Sequence, residues 1–449
     1  MEKVNKMNKD VIYHFTGIKG TGMSALALVL AGSGYQVQGS DVEEKFFTQE
    51  GLEKANIKIL PFNPDNIQPG MHIICGNAFK DDHPEIVRAK ALNLPITRYH
   101  YFLGEWIKKF TSVAITGCHG KTSTTGLVSH VLSSVEKTAY LIGDGTGKGL
   151  EDARYFVLEA DEYREHFLAY HPDYAIFTNI DFDHPDFYHS LEEVYQSNLA
   201  FAKQVKKKVI AYGGDKNLQR FKGIVDILYY GMEDDSYDIV AKNINRTTEG
   251  SQFDVYVHGE KYGRFFVHTF GQHNILNALA VIGFCCLEDM DPEVVQAAFE
   301  TFKGVKRRFN ERPLGDNVIV DDYAHHPSEI KATIDAARQQ YPTRPVIAVF
   351  QPHTYSRTKA LHDEFAQALD LADEVYVCDI FASARETDHH EVSAYDIIQK
   401  IQKPCYHLDL ENVQPLLKYQ KAVLLFMGAG DVPKYAKAYE EAYRTQHGE

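Results

Sequence analysis

Residues 113–125, Val113-Ala-Ile-Thr-Gly-Cys-His-Gly-Lys-Thr-Ser-Thr-Thr125, constrain this chain more than any other stretch. A short apolar run leads into a loop flanked by glycines, and Gly120-Lys121-Thr122 opens a helix-compatible segment. Val113 to Ile115 predict a buried strand. Gly117 and Gly120 let the backbone turn so that successive N–H groups face a polyphosphate at the start of the next helix. Lys121 is then placed for the β- and γ-phosphates, and the Thr122 hydroxyl for Mg²⁺. Cys118, His119 and Ser123 complete the expected nucleotide-binding segment. The loop is a variant, because Ile115 stands where the general pattern has a glycine. Cys118 lies between the two glycines, near Lys121 and a helix N-terminus, and its thiol is expected to have a lowered pKa.

A chain of 449 residues has room for about three domains, each with its own core. A formal charge of −15 argues against a general nucleic-acid or anionic-membrane surface, though local cations can still hold anionic ligands. The six cysteines form no CxxC pair, so neither a zinc ribbon nor a disulfide framework is expected. With no leader-like segment and no long apolar run, the chain reads as cytoplasmic.

In the first third, a strand at 11–15 leads into Gly17-Ile-Lys-Gly-Thr-Gly-Met23 and a helix from Met23 to about Ala31. A strand from Gln36 ends at Ser40-Asp41, and a third strand, 73–78, carries Asn77 at its C-terminal edge. Gly20, Gly22 and Ala25 with an acid about twenty residues on satisfy a dinucleotide fingerprint, which keeps an NAD-dependent oxidoreductase in play. The physics requires only a pyrophosphate on a helix N-terminus and a carboxylate near a ribose or base. UDP meets that requirement as well as NAD does.

In the middle third, 155–162 and 174–184 read as apolar strands ending in acids and His, which nominates Glu159 and His184 for magnesium or phosphate. Residues 205–267 are polar and strand-like without a motif. Gly271-Gln-His-Asn-Ile-Leu-Asn277 opens a helix with Asn274 and Asn277 on one face, where paired amides could read an adenine edge. Lys306-Arg-Arg-Phe309 marks a seam. Beyond it, 318–327 and 346–357 repeat the strand-to-polar-loop design, a helix runs from Ser328 to about Arg338, and 422–431 closes the sheet.

Taken in order, Gly17-Ile-Lys-Gly-Thr-Gly-Met, Thr116-Gly-Cys-His-Gly-Lys-Thr, Glu159-Ala-Asp-Glu, Thr178-Asn-Ile-Asp-Phe-Asp-His, Gly271-Gln-His-Asn-Ile-Leu-Asn, Arg307-Arg-Phe, Asp321-Asp-Tyr-Ala-His-His-Pro and Gln351-Pro-His-Thr-Tyr-Ser-Arg resemble the ATP-dependent Mur ligases of peptidoglycan synthesis. The resemblance implies an α/β chain of three domains. These are a Rossmann-like UDP-binding domain over 1–109, a central P-loop-type ATPase domain over 110–312 and a C-terminal Rossmann-like domain over 313–449. It implies that Gly20, Thr21, Gly22 and Met23 hold a pyrophosphate, with Asp41 and Asn77 near the uridine end. Lys121, Thr122, Glu159, His184, Asn274 and Asn277 would hold Mg-ATP, with Arg308 on the γ-phosphate and Asp322 on the ribose. Tyr323, His325, His353 and Arg357 would orient the acceptor; Lys121, His184, Arg308 and His325 are the expected catalytic group.

The implied reaction joins L-alanine to the lactyl carboxylate of UDP-N-acetylmuramate through an acyl phosphate, with ATP and Mg²⁺ as cofactors. Small molecules are the expected partners, with no nucleic acid or membrane, and the chain is expected as a monomer or homodimer. Tyr163-Arg164 after the acidic motif and Thr354 in place of a second Arg depart from many alanine-adding members. Tyr163 instead matches the sister ligase that attaches a preformed tripeptide, which keeps that alternative open for the acceptor.

Overall fold

The computed structural model describes residues 7–382 and 392–448, which form three sheets, each flanked by helices. The first is fully parallel, in the order Lys58–Pro61, Gln36–Asp41, Ile12–Thr16, His72–Cys75, Ile96–Arg98. The strand order reverses beside Ile12–Thr16, so a crevice opens at the C-terminal ends of the strands, where open α/β sheets bind ligands. The loop 17–20, Asp41 and Asn77 all lie along that edge. Lys58–Pro61, a four-residue edge strand ending in proline, adds a strand that the sequence pattern does not signal, so His72–Cys75 is the fourth strand rather than the third.

The second sheet has ten strands, with Thr111–Thr116 between Tyr174–Phe177 and Tyr155–Glu159. All three run parallel and are apolar almost throughout, as strands covered on both faces must be. Their C-terminal ends therefore deliver 117–120, 178–184 and 160–162 to one place. Helices Lys121–Val135 and Gln272–Leu287 pack together on one face around Val128, Val131, Ile275 and Leu279. The motif-free polar stretch supplies two more parallel strands, Lys208–Tyr212 and Ile227–Met232, and then the antiparallel extension Ile239–Thr247, Gly250–Val257, Glu260–Val267, whose Phe253, Val255 and Phe265 are buried in the same core.

The third sheet is ordered Asn310–Leu314, Asn317–Asp322, Val423–Met427, Val346–Phe350, Glu374–Cys378, Cys405–Leu408. Only the first pairing is antiparallel. The last strand in sequence does not close the sheet at an edge but inserts at its centre, where Val423 to Met427 are all buried. Five consecutive apolar residues suit a position covered on both faces. The expected boundary at 312/313 falls inside Asn310–Leu314, which is paired to Asn317–Asp322 and so belongs to this sheet. Among the described residues, no helix is long and apolar enough to cross a membrane.

Candidate functional site

The loop after Thr111–Thr116 turns through Gly117 at φ 128° and Gly120 at φ 79°, both in the region that side chains disfavour. A Cβ on Gly117 would stand 2.2 Å from Thr178 Oγ1. The loop is fixed from behind: His119 N donates to Asn179 Oδ1 at 2.9 Å, and Thr178 Oγ1 donates to His119 O at 2.5 Å.

Lys121 Nζ donates to Gly117 O at 2.7 Å and to Glu162 Oε2 at 2.8 Å. Burial alone would lower the lysine's pKa, but Glu162, Asp161 and Glu159 raise it further, so the ammonium is secure. Glu162 is 1% exposed. Burial pushes its carboxyl up, yet Lys121 and His184 pull harder and hold it at about 2. His184 Nε2 lies 3.5 Å from Glu162 Oε1 and 3.8 Å from Asp183 Oδ2. Its backbone adopts φ 56°, a strained value that turns the ring back toward the acids. Glu159, the sequence-nominated ligand, accepts from Gly143 N at 3.0 Å, and burial raises its pKa against the pull of Lys121 and Thr122. Ligand atoms of Asp161, Glu162 and His184 lie within 4.8 Å of one another, an oxygen-rich set with one imidazole. That donor chemistry fits Mg²⁺.

Cys118 departs from expectation. Its thiol is 8% exposed, donates to Asp181 O at 3.0 Å and accepts from Asp181 N at 3.2 Å. Burial and the Glu162 charge push its pKa well up, outweighing Lys121. The nearby helix N-terminus does not compensate for the loss of water.

Beside the loop lies a cavity of about 790 Å³, between the central and third sheets. His119, Gly120 and Ser123 line one end, Asn274 and Asn277 one wall, and Arg308 and Asp322 the opposite side. Asn277 Nδ2 donates to Asn274 Oδ1 at 3.3 Å, which confirms the shared helix face. Arg308 donates to Glu329 Oε1 at 3.0 Å, and the charges of Glu329 and Asp322 keep its partly enclosed guanidinium charged. Asp322 accepts from Phe309 N at 2.7 Å and Ala324 N at 2.8 Å, so both its oxygens already brace the seam.

His325, His353, Tyr323 and Arg357 gather at the ends of the third sheet's strands. The His325 and His353 rings are 6.2 Å apart, and His353 stacks on Phe381. Burial lowers the His325 pKa to about 3, so its imidazole is neutral. Arg357 Nε donates to Asp183 Oδ1 at 2.9 Å, and both side chains are buried. In this arrangement, Arg357 bridges the central and third sheets. Thr354, at φ 71°, caps the helix that carries Arg357.

Gly20, Thr21, Gly22 and Met23 form the start of helix Thr21–Gly32, on the first sheet. Asp41 Oδ2 accepts from Lys19 N at 2.7 Å and so braces that loop. Asn77 bridges His100, at 3.0 Å, and His166, at 3.4 Å.

Sequence reasoning missed Glu162, Asp183 and Glu329, the buried carboxylates that partner Lys121, Arg357 and Arg308. Glu162 lies three positions after Glu159 and Asp183 immediately before His184, in segments where only backbone geometry decides which acid turns inward.

Three stretches match Mur ligase family models: residues 12–111 the Mur ligase family catalytic domain, 115–285 the middle domain and 307–431 the glutamate ligase domain. The chain is 56% identical to a UDP-N-acetylmuramate–L-alanine ligase of Levilactobacillus brevis, over 97% of this chain and 98% of that one. A protein of the same name from Pediococcus pentosaceus is 54% identical, over 98% and 100%. A UDP-N-acetylmuramate–alanine ligase of Thermotoga maritima, solved as a crystal structure, superposes with a TM-score of 0.80 at 29% identity, over 97% and 99%.

Proposed function

The chain belongs to the Mur ligase family, and from that premise we propose that it is an ATP-dependent ligase joining L-alanine to the lactyl carboxylate of UDP-N-acetylmuramate. The observation that carries the chemistry is the cleft itself. A phosphate loop with a largely enclosed, charged Lys121 faces Arg308 across a cavity walled by paired asparagines. Phosphoryl transfer asks a protein for positioning and charge neutralisation more than for a strong base, and the cleft is built for both.

The first domain holds the UDP-sugar by its pyrophosphate on Gly20 to Met23. The central domain holds ATP through the loop 117–123, with Asn274 and Asn277 at the adenine. Mg²⁺ would be held by Thr122, Glu159 and His184, with Glu162 as a further donor, and would neutralise phosphate charge. Lys121 and Arg308 neutralise the γ-phosphoryl group from opposite sides as the lactyl carboxylate attacks it. The products of that step are ADP and an acyl phosphate. The neutral amine of L-alanine then attacks the acyl carbon, the C–O bond to phosphate breaks, and inorganic phosphate leaves carrying the proton that the nitrogen loses as the amide forms. His325, His353 and Tyr323 orient the amino acid. Arg357 takes its carboxylate in exchange for part of its contact with Asp183.

Phosphate release from ATP tests the reading. Release is expected only with UDP-N-acetylmuramate and L-alanine together. Turnover with a tripeptide but not with alanine would transfer the acceptor assignment to the muropeptide-adding type, for which Tyr163 is the feature in favour.

A further inference from the structure

His119, Asp181 and His326 come from the phosphate loop, the loop after Tyr174–Phe177 and the start of helix Pro327–Gln340 on the third sheet. Their ligand atoms nevertheless lie within 4.8 Å of one another. His119 Nε2 is 3.3 Å and His326 Nδ1 3.9 Å from the same Asp181 oxygen, Oδ2. Donors bound to one ion at about 2.0–2.2 Å stand roughly 3–4 Å apart, so both distances to Asp181 Oδ2 fall in the range that a shared ion requires, and the two imidazole rings lie stacked with centroids 4.1 Å apart.

The protonation pattern suits ligation. His326 Nε2 donates to Phe182 O at 3.3 Å, which leaves a lone pair on Nδ1 whose partner is Ser328 N at a long 3.3 Å. Burial, helped by His119, lowers the His326 pKa to about 4, so the ring is neutral at pH 7. Asp181 is held below the usual carboxylate range: burial opposes this, but the hydrogen bonds from His119 and from the Phe182 backbone outweigh burial. Ser328 Oγ also donates to Asp181 Oδ2 at 3.0 Å and orients that carboxylate. The imidazoles are almost fully enclosed, while the Asp181 side chain is 42% exposed and gives an ion a way in from solvent. His119 ligates through Nε2 when Nδ1 carries the ring proton.

We propose that His119, Asp181 and His326 bind one borderline divalent ion of the Zn²⁺ or Co²⁺ class, which clips the phosphate loop to the third sheet. Two imidazoles and one carboxylate favour such ions over Mg²⁺, which prefers an all-oxygen shell. The site is separate from Asp161, Glu162 and His184, the other cluster of this kind among the described residues. It does not rest on the ligase reading, because metal binding is measured on the protein without nucleotide or substrate.

The test is titration of that protein with Co²⁺, followed by its visible absorption, and with Zn²⁺ by calorimetry. A site is expected whose affinity falls by about 100-fold in both His326→Gln and Asp181→Asn. In His184→Gln, which removes the other cluster, this site is expected to persist. Isotherms unchanged in His326→Gln and Asp181→Asn, or binding abolished by His184→Gln alone, would overturn the proposal.

Discussion

At the scale of single residues, the phosphate loop is governed by Glu162, which is enclosed and kept ionised by Lys121 and His184. Lys121→Ala removes its nearest cation and leaves a buried carboxylate short of a partner. Breaking such a pair costs about 3–5 kcal/mol, and losing a charge aimed at the transferring group costs about 100-fold or more in turnover. We therefore expect Lys121→Ala to lower the melting temperature at pH 7 and to abolish phosphate release, with UDP-sugar affinity retained in calorimetry. Equal loss of UDP-sugar binding would overturn the placement of the UDP-sugar on the first sheet, away from Lys121. The same burial decides Cys118, whose raised pKa predicts slow alkylation by iodoacetamide at pH 8. Rapid inactivation that MgATP prevents and Cys118→Ala abolishes would contradict that. In the first sheet, His72 is buried and bonded to Thr97 Oγ1, and burial lowers its pKa to about 4. An unfolded histidine titrates near 6.5, so the unfolded chain binds more protons between those values. Stability from His72 is complete above pH 6.5 and falls as pH drops toward 4, by about 2 kcal/mol at pH 5. His72→Gln should lose less stability than wild type between pH 7 and 5 in urea unfolding; identical pH slopes would refute the assignment.

At the scale of elements, the strand Thr111–Thr116 and helix Lys121–Val135 are joined by a loop that cannot relax. Gly117 has its φ in the disfavoured region and no room for a methyl group beside Thr178 and Asn179. Gly117→Ala must move the loop, and misplacement by about 1 Å is enough to cost on the order of 100-fold in rate. The expected result is loss of turnover with weakened nucleotide binding in calorimetry; wild-type kinetics would mean the loop has slack the structure does not show. This element was legible in the sequence because its strand, glycines and Lys-Thr pair are consecutive. So were the Asn274 and Asn277 face, fixed by helical spacing, and the apolar strands that bring motifs to one sheet edge. What was not legible lies in irregular backbone. No periodicity governs 160–163 or 181–184, so Glu162 and Asp183 could not be separated from Glu159 and Asp181 as the inward acids. The central placement of Val423–Met427 was hidden for another reason: strand order in a parallel sheet depends on crossovers, which local pattern does not encode.

At the scale of the whole molecule, the three sheets are joined by two unlike interfaces. The first and central sheets meet backbone to backbone. A Cβ on Gly149 would lie 1.8 Å from Val29 O, and one on Gly147 2.0 Å from Ala25 O, so that junction permits almost no sliding. The central and third sheets meet through polar contacts: Arg357 to Asp183, Ser328 to Asp181, Arg246 to Asp335 at 2.8 Å, and Gln339 to the turn at 247–251. Polar interfaces between domains part more readily than apolar ones, and the connecting residues Arg307 and Phe309 both hold positive φ. We therefore expect the third sheet to move more readily than the first, with the enclosed Arg357–Asp183 pair as its strongest catch. Asp183→Ala leaves Arg357 buried and unpaired, a state that opening relieves by returning the guanidinium to water. Small-angle X-ray scattering should then show a larger radius of gyration than wild type in the absence of ligands. Replacing both partners with apolar side chains, Asp183→Leu with Arg357→Met, removes the unpaired charge and is expected to restore the compact profile without restoring turnover. A single variant as compact as wild type would mean the remaining contacts hold the sheets together unaided. A double variant as open as the single one would mean that the pair's attraction, rather than the cost of an orphaned charge, keeps the cleft shut.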